Sequence, residues 1–166
     1  KKKIPVYGSQ RTINELKKKY TFCFFPKSGY LPILKPNIIK NNFRITKKNN
    51  SIYIKSFDVD HGMIKATGYV FEKICYISDC NNIDKKNYKH LKGLRYLIID
   101  CLRIKKHPSH FNLDEAVKIS NFLNPKKTIL TNLHVDFDYK TLKKMMPSNI
   151  IPAYDGLKFN FWFLSQ

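Results

Sequence analysis

The fold of this chain is decided by residues 94–134, LRYLIIDCLRIKKHPSHFNLDEAVKISNFLNPKKTILTNLH. They open on a near-continuous apolar run, Leu94 to Cys101, which is typical of a strand buried on both faces of a sheet. A helix is predicted over 113–123, because its apolar residues recur at helical spacing and Asn112 is a suitable N-cap. A second strand is predicted from Thr128 to Thr131. A strand, a helix and a strand in succession indicate an α/β domain with a buried sheet.

The remaining segments extend this α/β pattern toward both ends of the chain. Further strands are predicted at 4–8, 52–60, 68–71, 74–77, 150–154 and 157–163, and further helices at 9–20 and 139–146. Residues 21–36, rich in aromatic side chains and proline, predict a lid, an interface or a segment folded back on the core. Because no repeat or low-complexity linker interrupts the chain, a single domain over 1–166 is expected.

Composition and charge narrow the class of protein. Hydrophobic residues make up 43% of the chain and aromatic residues 14%, which is typical of a globular protein and not of a disordered one. The net charge of +19 attracts phosphate, but the lysines come in pairs and triplets beside apolar runs, which favours a solvated surface over a nucleic-acid groove. No stretch is apolar enough to span a bilayer, and four scattered cysteines without a C-x-x-C pair predict reduced thiols in the cytoplasm.

Four polar clusters each come where an apolar run ends: Asp60-His61-Gly62, Ser78-Asp79, His107-Pro108-Ser109-His110 and Thr131-Asn132-Leu133-His134. Side chains at such positions are placed to converge on one edge of a sheet, and histidine with carboxylate suits zinc or manganese. Plainer interpretations stay open, since His61 could be structural, Asp79 could cap a helix and His110 could lie on the surface. In the fourth cluster His134 is favoured over Asn132, because asparagine is a poor zinc ligand.

Several of these segments also occur in one order along the chain. They are VDHG (59–62), GY (68–69), YISD (76–79), LIIDCLR (97–103), HPSHFNLDEA (107–116), ILTN (129–132) and PAYDG (152–156). In this order they resemble the later part of a metallo-β-lactamase-fold hydrolase. The branch they resemble is that of the phosphoribosyl cyclic phosphate phosphodiesterases associated with carbon–phosphorus lyase. The resemblance covers nearly the whole chain.

The resemblance implies a fold and a set of site residues. The fold is an αββα sandwich that is incomplete at its N-terminus, because the superfamily's His-x-His-x-Asp-His motif precedes the Val-Tyr-Gly strand at which this chain begins. His61 is implied to ligate one metal, Asp79 to bridge two, and His110 to be the catalytic histidine near the scissile phosphate. Asn132 stands where the family often has its last ligand, so either His134 substitutes for that ligand or the site is altered. The implied cofactors are two divalent ions, zinc or manganese.

The implied function is hydrolysis of small cyclic or nucleotide-like phosphodiesters such as phosphoribosyl cyclic phosphate. In the intact enzyme the metals would generate a hydroxide and His110 would assist the leaving group. A homodimer is implied, and this chain alone is expected to be inactive without the upstream motif. Two other functions are weighed: an RNA-processing nuclease of the same superfamily, which needs an RNA-gripping arm, and a non-catalytic basic module that binds nucleic acid.

Overall fold

The computed structural model describes residues 2–159 of the chain. Packing of the backbone divides the chain into two compact units, Lys1–Phe57 and Asp58–Gln166. The prediction of a single domain over residues 1–166 stays a prediction.

The first unit holds, within its described residues, β1 (Ile4–Gly8), α1 (Gln10–Lys19), α2 (Thr21–Phe24), β2 (Leu34–Ile38), β3 (Asn42–Lys47) and the first part of β4 (Asn50–His61). Strands β1 and β2 pair in parallel, and β3 pairs antiparallel with β4. Helix α1 begins where predicted, because the Ser9 side chain accepts a hydrogen bond from the Thr12 N–H. Its one fully buried side chain is Ile13.

The aromatic segment 21–36 contains α2 and the start of β2. Several of its large side chains are exposed, among them Phe22, Tyr30 and Leu31. They line a cavity of about 480 Å³ together with Lys27, Ser28 and Ile33. The lid or interface role therefore stays a prediction, while the exposure shows that these three side chains are not folded back on a core.

The second unit continues with the end of β4 and then β5 (Ile64–Phe71), β6 (Ile74–Ile77), a 3₁₀ helix (Lys85–His90), β7 (Tyr96–Asp100), α3 (Leu113–Leu123), β8 (Lys127–Thr131), α4 (Tyr139–Met145) and β9 (Ile150–Pro152). Its strands lie in the order β4-β5-β6-β7-β8-β9. Strands β5 and β6 are antiparallel, whereas β6 through β9 are parallel to one another. This arrangement confirms the α/β class.

The parallel strands form the core of the second unit. Leu97, Ile99 and Leu130 are fully buried, as expected of strands covered on both faces. Helix α3 packs beside β7 and begins with a capping box, in which Asn112 and Glu115 each bond the other's backbone N–H. Because β6 to β9 run in one direction, the residues that follow them meet at one edge of the sheet.

Some predicted boundaries differ from the structure. Strand β7 starts at Tyr96, two residues after the start of the apolar run at Leu94, and β5 starts at Ile64, four residues before its predicted start at Gly68. Most of the predicted strand 157–163 lies outside the described residues, and residues 157–159 are not in a strand. The four cysteines carry free thiols, three of them buried. Across residues 2–159, every helix is too short or too polar to cross a membrane.

Candidate metal centre

His61, Asp79 and His110 come together at the carboxyl edge of the sheet. Each offers one ligand atom, and these atoms all lie within 4.8 Å of one another. His61 is the last residue of β4, Asp79 follows β6 by two residues, and His110 lies on the loop that joins β7 to α3. The sequence therefore predicted the convergence of these three side chains, and the structure places them in one group.

The His61 ring is fixed through the loop that carries His110. Its Nδ1 lies 2.7 Å from the backbone oxygen of Ser109, so Nδ1 carries the proton and donates, and Nε2 is left for a ligand. Gly62 allows the chain to turn here, since its φ is +61°. A Cβ at this position would lie only 3.0 Å from Ser109 Cβ, so the close approach of the two segments also favours glycine.

The His110 ring is held by Asp100, a carboxylate that is fully buried at the end of β7. His110 Nδ1 lies 2.8 Å from Asp100 Oδ2, which leaves Nε2 outside this bond. The carboxylate also accepts hydrogen bonds from the Cys80 N–H (2.9 Å) and the Asn132 side-chain amide (3.1 Å). Burial raises the pKa of the Asp100 carboxyl, and these three hydrogen bonds oppose that rise.

The Asp79 carboxylate is hydrogen-bonded to the residue before it in the chain. One of its oxygens, Oδ2, accepts a hydrogen bond of 2.7 Å from the Ser78 hydroxyl. The helix that follows along the chain, the 3₁₀ helix, takes its N-cap from Asp84 and not from Asp79. The capping interpretation of Asp79 is therefore set aside, and its carboxylate faces the two histidines.

The structure places His134 outside this group and Asn132 beside it. The His134 backbone N–H donates to the Leu102 carbonyl at 2.8 Å, but the half-exposed ring pairs with Asp136, with Nδ1 and Oδ1 3.0 Å apart. A turn at Asn132, whose φ is +61°, is the physical reason why Asn132 lies beside the group and His134 lies outside it. That turn directs the Asn132 amide to Asp100, while the chain carries the His134 ring away to Asp136.

Two groups near the site were given no role from the sequence, although His107 belongs to one of the four polar clusters. Asp100 could have been found, because a carboxylate that ends a buried apolar run needs a partner. The other is the His107 ring, whose centroid lies 5.0 Å from that of His110. Partial burial lowers the pKa of His107, and the positive charge of Arg103 lowers it further. Nothing in the spacing of the sequence distinguishes His107 from His110.

The residues present fit a divalent metal ion. Two imidazoles and one carboxylate are the nitrogen and oxygen donors that zinc and manganese accept. Metal-bound histidines usually donate their other ring N–H to a carboxylate or a backbone carbonyl. His110 does so to Asp100 and His61 to Ser109, so both rings are oriented as such ligands are.

Comparison with known proteins assigns the chain to a family. The sequence model of the family described as "Beta-lactamase superfamily domain" matches residues 1–132. A crystal structure described as a new diphosphatase from the PhnP family has 28% sequence identity to this chain and a TM-score of 0.85. The match covers 96% of this chain and 59% of the diphosphatase. Zn²⁺-bound PqqB from Methylobacterium extorquens, at 11% identity, shares the fold with a TM-score of 0.73 over 96% of this chain and 66% of its own.

A curated relative, named as an octanoyltransferase of Porphyromonas gingivalis (strain ATCC BAA-308 / W83), is 25% identical over 161 residues. That match covers 95% of this chain but only 32% of the relative. The chain thus spans about a third of this relative and 59% of the diphosphatase. With the family match over residues 1–132 and the sheet order described above, the chain belongs to the β-lactamase superfamily domain family and has the metallo-β-lactamase fold.

Proposed function

We propose that the protein containing this chain is a metal-dependent phosphodiesterase of small cyclic or nucleotide-like substrates, such as phosphoribosyl cyclic phosphate. The observation that carries the proposal is the grouping of His61, Asp79 and His110 within 4.8 Å. The similarity to a diphosphatase of the PhnP family, at 28% identity, supports a phosphate ester or anhydride as the substrate. The net charge of +19 supports an anionic substrate as well.

The roles of the side chains follow from their hydrogen bonds. His61 and Asp79 would hold divalent ions, which when bound lower the pKa of water and neutralise charge on the phosphate. His110 faces the same space, and in the protonated ring Nε2 is the atom that can pass a proton to the leaving oxygen. The buried Asp100 carboxylate keeps the His110 ring in one orientation.

Two further statements belong to the proposal. The three candidate ligands found among residues 2–159 are fewer than a two-metal centre uses, so we propose that other residues complete the site and that this chain by itself is inactive. We also propose that the enzyme works as a homodimer, which sedimentation equilibrium of the whole protein tests. A mass equal to one subunit at micromolar concentration would contradict the dimer.

Hydrolysis of a five-membered cyclic phosphodiester by the whole protein tests the activity. The protein is stripped with a chelator and then assayed with zinc, with manganese and without metal. Metal should restore turnover, and Asp79→Asn and His110→Ala should each remove it because they delete a group of the site. His90→Asn, a histidine of the 3₁₀ helix, serves as the matched control.

A structured RNA is assayed in parallel, since the positive charge also suits RNA. Metal-dependent cleavage of the RNA with no hydrolysis of the small diester would replace the proposal by the nuclease function. Metal-independent, salt-sensitive RNA binding without any cleavage would replace it by the binding module.

A further inference from the structure

His107 stands beside the proposed site on a loop that is closed at its base. The Leu102 N–H donates to the Phe111 carbonyl at 2.9 Å, and the Leu113 N–H donates to the Arg103 carbonyl at 3.0 Å. His107 lies in the loop between these two bonds. The centroid of its ring is 5.0 Å from that of the His110 ring, and the two ring planes are tilted by 52°. These bonds restrict the backbone of the loop, and the contacts of Ser109 with the His107 ring hold the ring next to His110.

The hydrogen bonds of His107 fix which ring nitrogen carries the proton. The Ser109 N–H donates to His107 Nδ1 at 3.3 Å, and the Ser109 hydroxyl lies 3.2 Å from the same atom. Because Nδ1 accepts, the proton of the neutral ring is on Nε2. Within residues 2–159, Nε2 of His107 has no hydrogen-bond partner, and every buried side-chain nitrogen or oxygen has one, so Nε2 lies on an accessible face.

This proton placement is the reverse of that in the two neighbouring histidines. His61 donates from Nδ1 to the Ser109 carbonyl, and His110 engages Asp100 through Nδ1. In their neutral forms those two rings therefore have a lone pair on Nε2, whereas the neutral His107 ring presents an N–H there, which suits an anion. The His110 ring neighbours both of the others, because its centroid lies 4.6 Å from that of His61 and 5.0 Å from that of His107.

The electrostatic surroundings of His107 also favour an anion. The Arg103 guanidinium is tied back to its own loop by bonds to the carbonyls of Lys105 (3.2 Å) and Lys106 (2.8 Å), and its charge acts on His107. The exposed side chains of Lys105 and Lys106 add positive charge to this loop. A hydrogen-bond donor within a positive loop is the arrangement that binds phosphate oxygens in proteins.

We propose that His107 contacts the substrate and donates a hydrogen bond from Nε2 to a non-bridging phosphate oxygen of the diester held beside His61, Asp79 and His110. This inference rests on the proposed function for the identity of the diester, but the phosphate contact itself is a property of the loop. His107 then sets where the phosphorus lies relative to His110, and His110 acts on the leaving oxygen.

Two substitutions separate this contact from a structural role. Glutamine places an amide N–H near the position of histidine Nε2, whereas asparagine reaches only as far as Nδ1. We expect His107→Asn to lower kcat/KM for the cyclic diester by about ten- to a hundredfold, the loss typical of one hydrogen bond to a charged group. His107→Gln should stay within about threefold of the wild type, and both variants should keep the wild-type zinc content. His90→Asn is the matched control.

Equal kinetics of His107→Asn and the wild type would overturn the inference while leaving the proposed function intact. So would an equal loss in the asparagine and glutamine variants, or a loss of bound zinc in the asparagine variant.

A measurement of phosphate binding tests the His107 contact independently of diester hydrolysis. Calorimetry of the zinc-loaded whole protein with inorganic phosphate should give a Kd about ten- to a hundredfold weaker in His107→Asn and nearly unchanged in His107→Gln. This result without diester hydrolysis would contradict the proposed function and support the His107 contact. An unchanged phosphate Kd in His107→Asn would contradict the contact.

Discussion

Two loops of the second unit start at neighbouring parallel strands and yet use their histidines in opposite ways. The loop from β7 to α3 carries His110 into the candidate metal centre, where the side chain is 14% exposed. The loop from β8 to α4 carries His134, whose side chain is 50% exposed and pairs with the exposed Asp136. A position just after a strand is therefore insufficient to bring a side chain to the sheet edge.

The two loops differ in the carboxylate that each histidine ring contacts. His110 finds the carboxylate of Asp100, which is buried in β7 and fixed by the Cys80 N–H. The second oxygen of that carboxylate is taken by the Asn132 amide, at the start of the β8–α4 loop. The β8–α4 loop thus reaches Asp100 through the Asn132 amide, while the His134 ring pairs with the exposed Asp136.

The largest expected effect separates the two histidines by turnover of the cyclic diester. His110→Asn should lower kcat by about 10²- to 10⁴-fold, because it removes the group that assists the leaving oxygen. His134→Asn should leave kcat within about threefold of the wild type, because His134 lies outside the group. Steady-state kinetics of the zinc-loaded whole protein measures both variants. If His134→Asn loses as much turnover as His110→Asn, the β8–α4 loop supplies a group of the site after all.

The next effect concerns the two carboxylates that face these rings. Asp100→Asn should lower kcat by about 10- to 100-fold, because it removes the acceptor that orients His110. Asp136→Asn is the matched control on the other loop and should leave kcat unchanged. Circular dichroism checks that the Asp100 variant is folded. A folded Asp100→Asn protein with the wild-type kcat would show that His110 is oriented by the loop alone.

The sequence predicts the fold well because its strongest signals are local. The apolar run of β7, the helical spacing of α3 and the Asn112 cap each depend on residues close along the chain. Parallel strands then require that their carboxyl ends share one edge, which is why the convergence of His61, Asp79 and His110 could be predicted.

The rest of the site depends on long-range contacts and on single backbone angles. The orientation of His110 depends on its bond to Asp100 and on the positive φ of Asn132, and residue spacing predicts neither the bond nor the angle. The same holds for the proton on His107, which is set by the Ser109 N–H. The choice of His134 over Asn132 rested on ligand chemistry alone, and ligand chemistry says nothing about where the chain turns.

A smaller effect compares the helices that follow the two loops. Helix α3 starts at Asn112, which is 5% exposed and forms a capping box with Glu115. Asn112→Ala should lower the free energy of unfolding by about 0.5–2 kcal/mol, as is typical of losing an N-cap, measured by urea denaturation. Glu115→Ala removes only the reciprocal half of the box and should cost less. An Asn112→Ala variant as stable as the wild type would show that packing alone defines the start of α3.

The smallest effect is a pH dependence at the start of α4. There Asp138 accepts hydrogen bonds from the Thr141 hydroxyl (2.6 Å) and the Thr141 N–H (2.8 Å), which lower the pKa of its carboxyl. Because the folded pKa lies below the unfolded one, this contribution to stability is complete above about pH 4 and is lost as the pH falls through the folded pKa. The stability difference between wild type and Asp138→Ala should therefore shrink in acid. The amide cap at Asn112 does not titrate, so the difference for Asn112→Ala should persist at the same pH, and a parallel loss at both caps would point to general unfolding of the acid state.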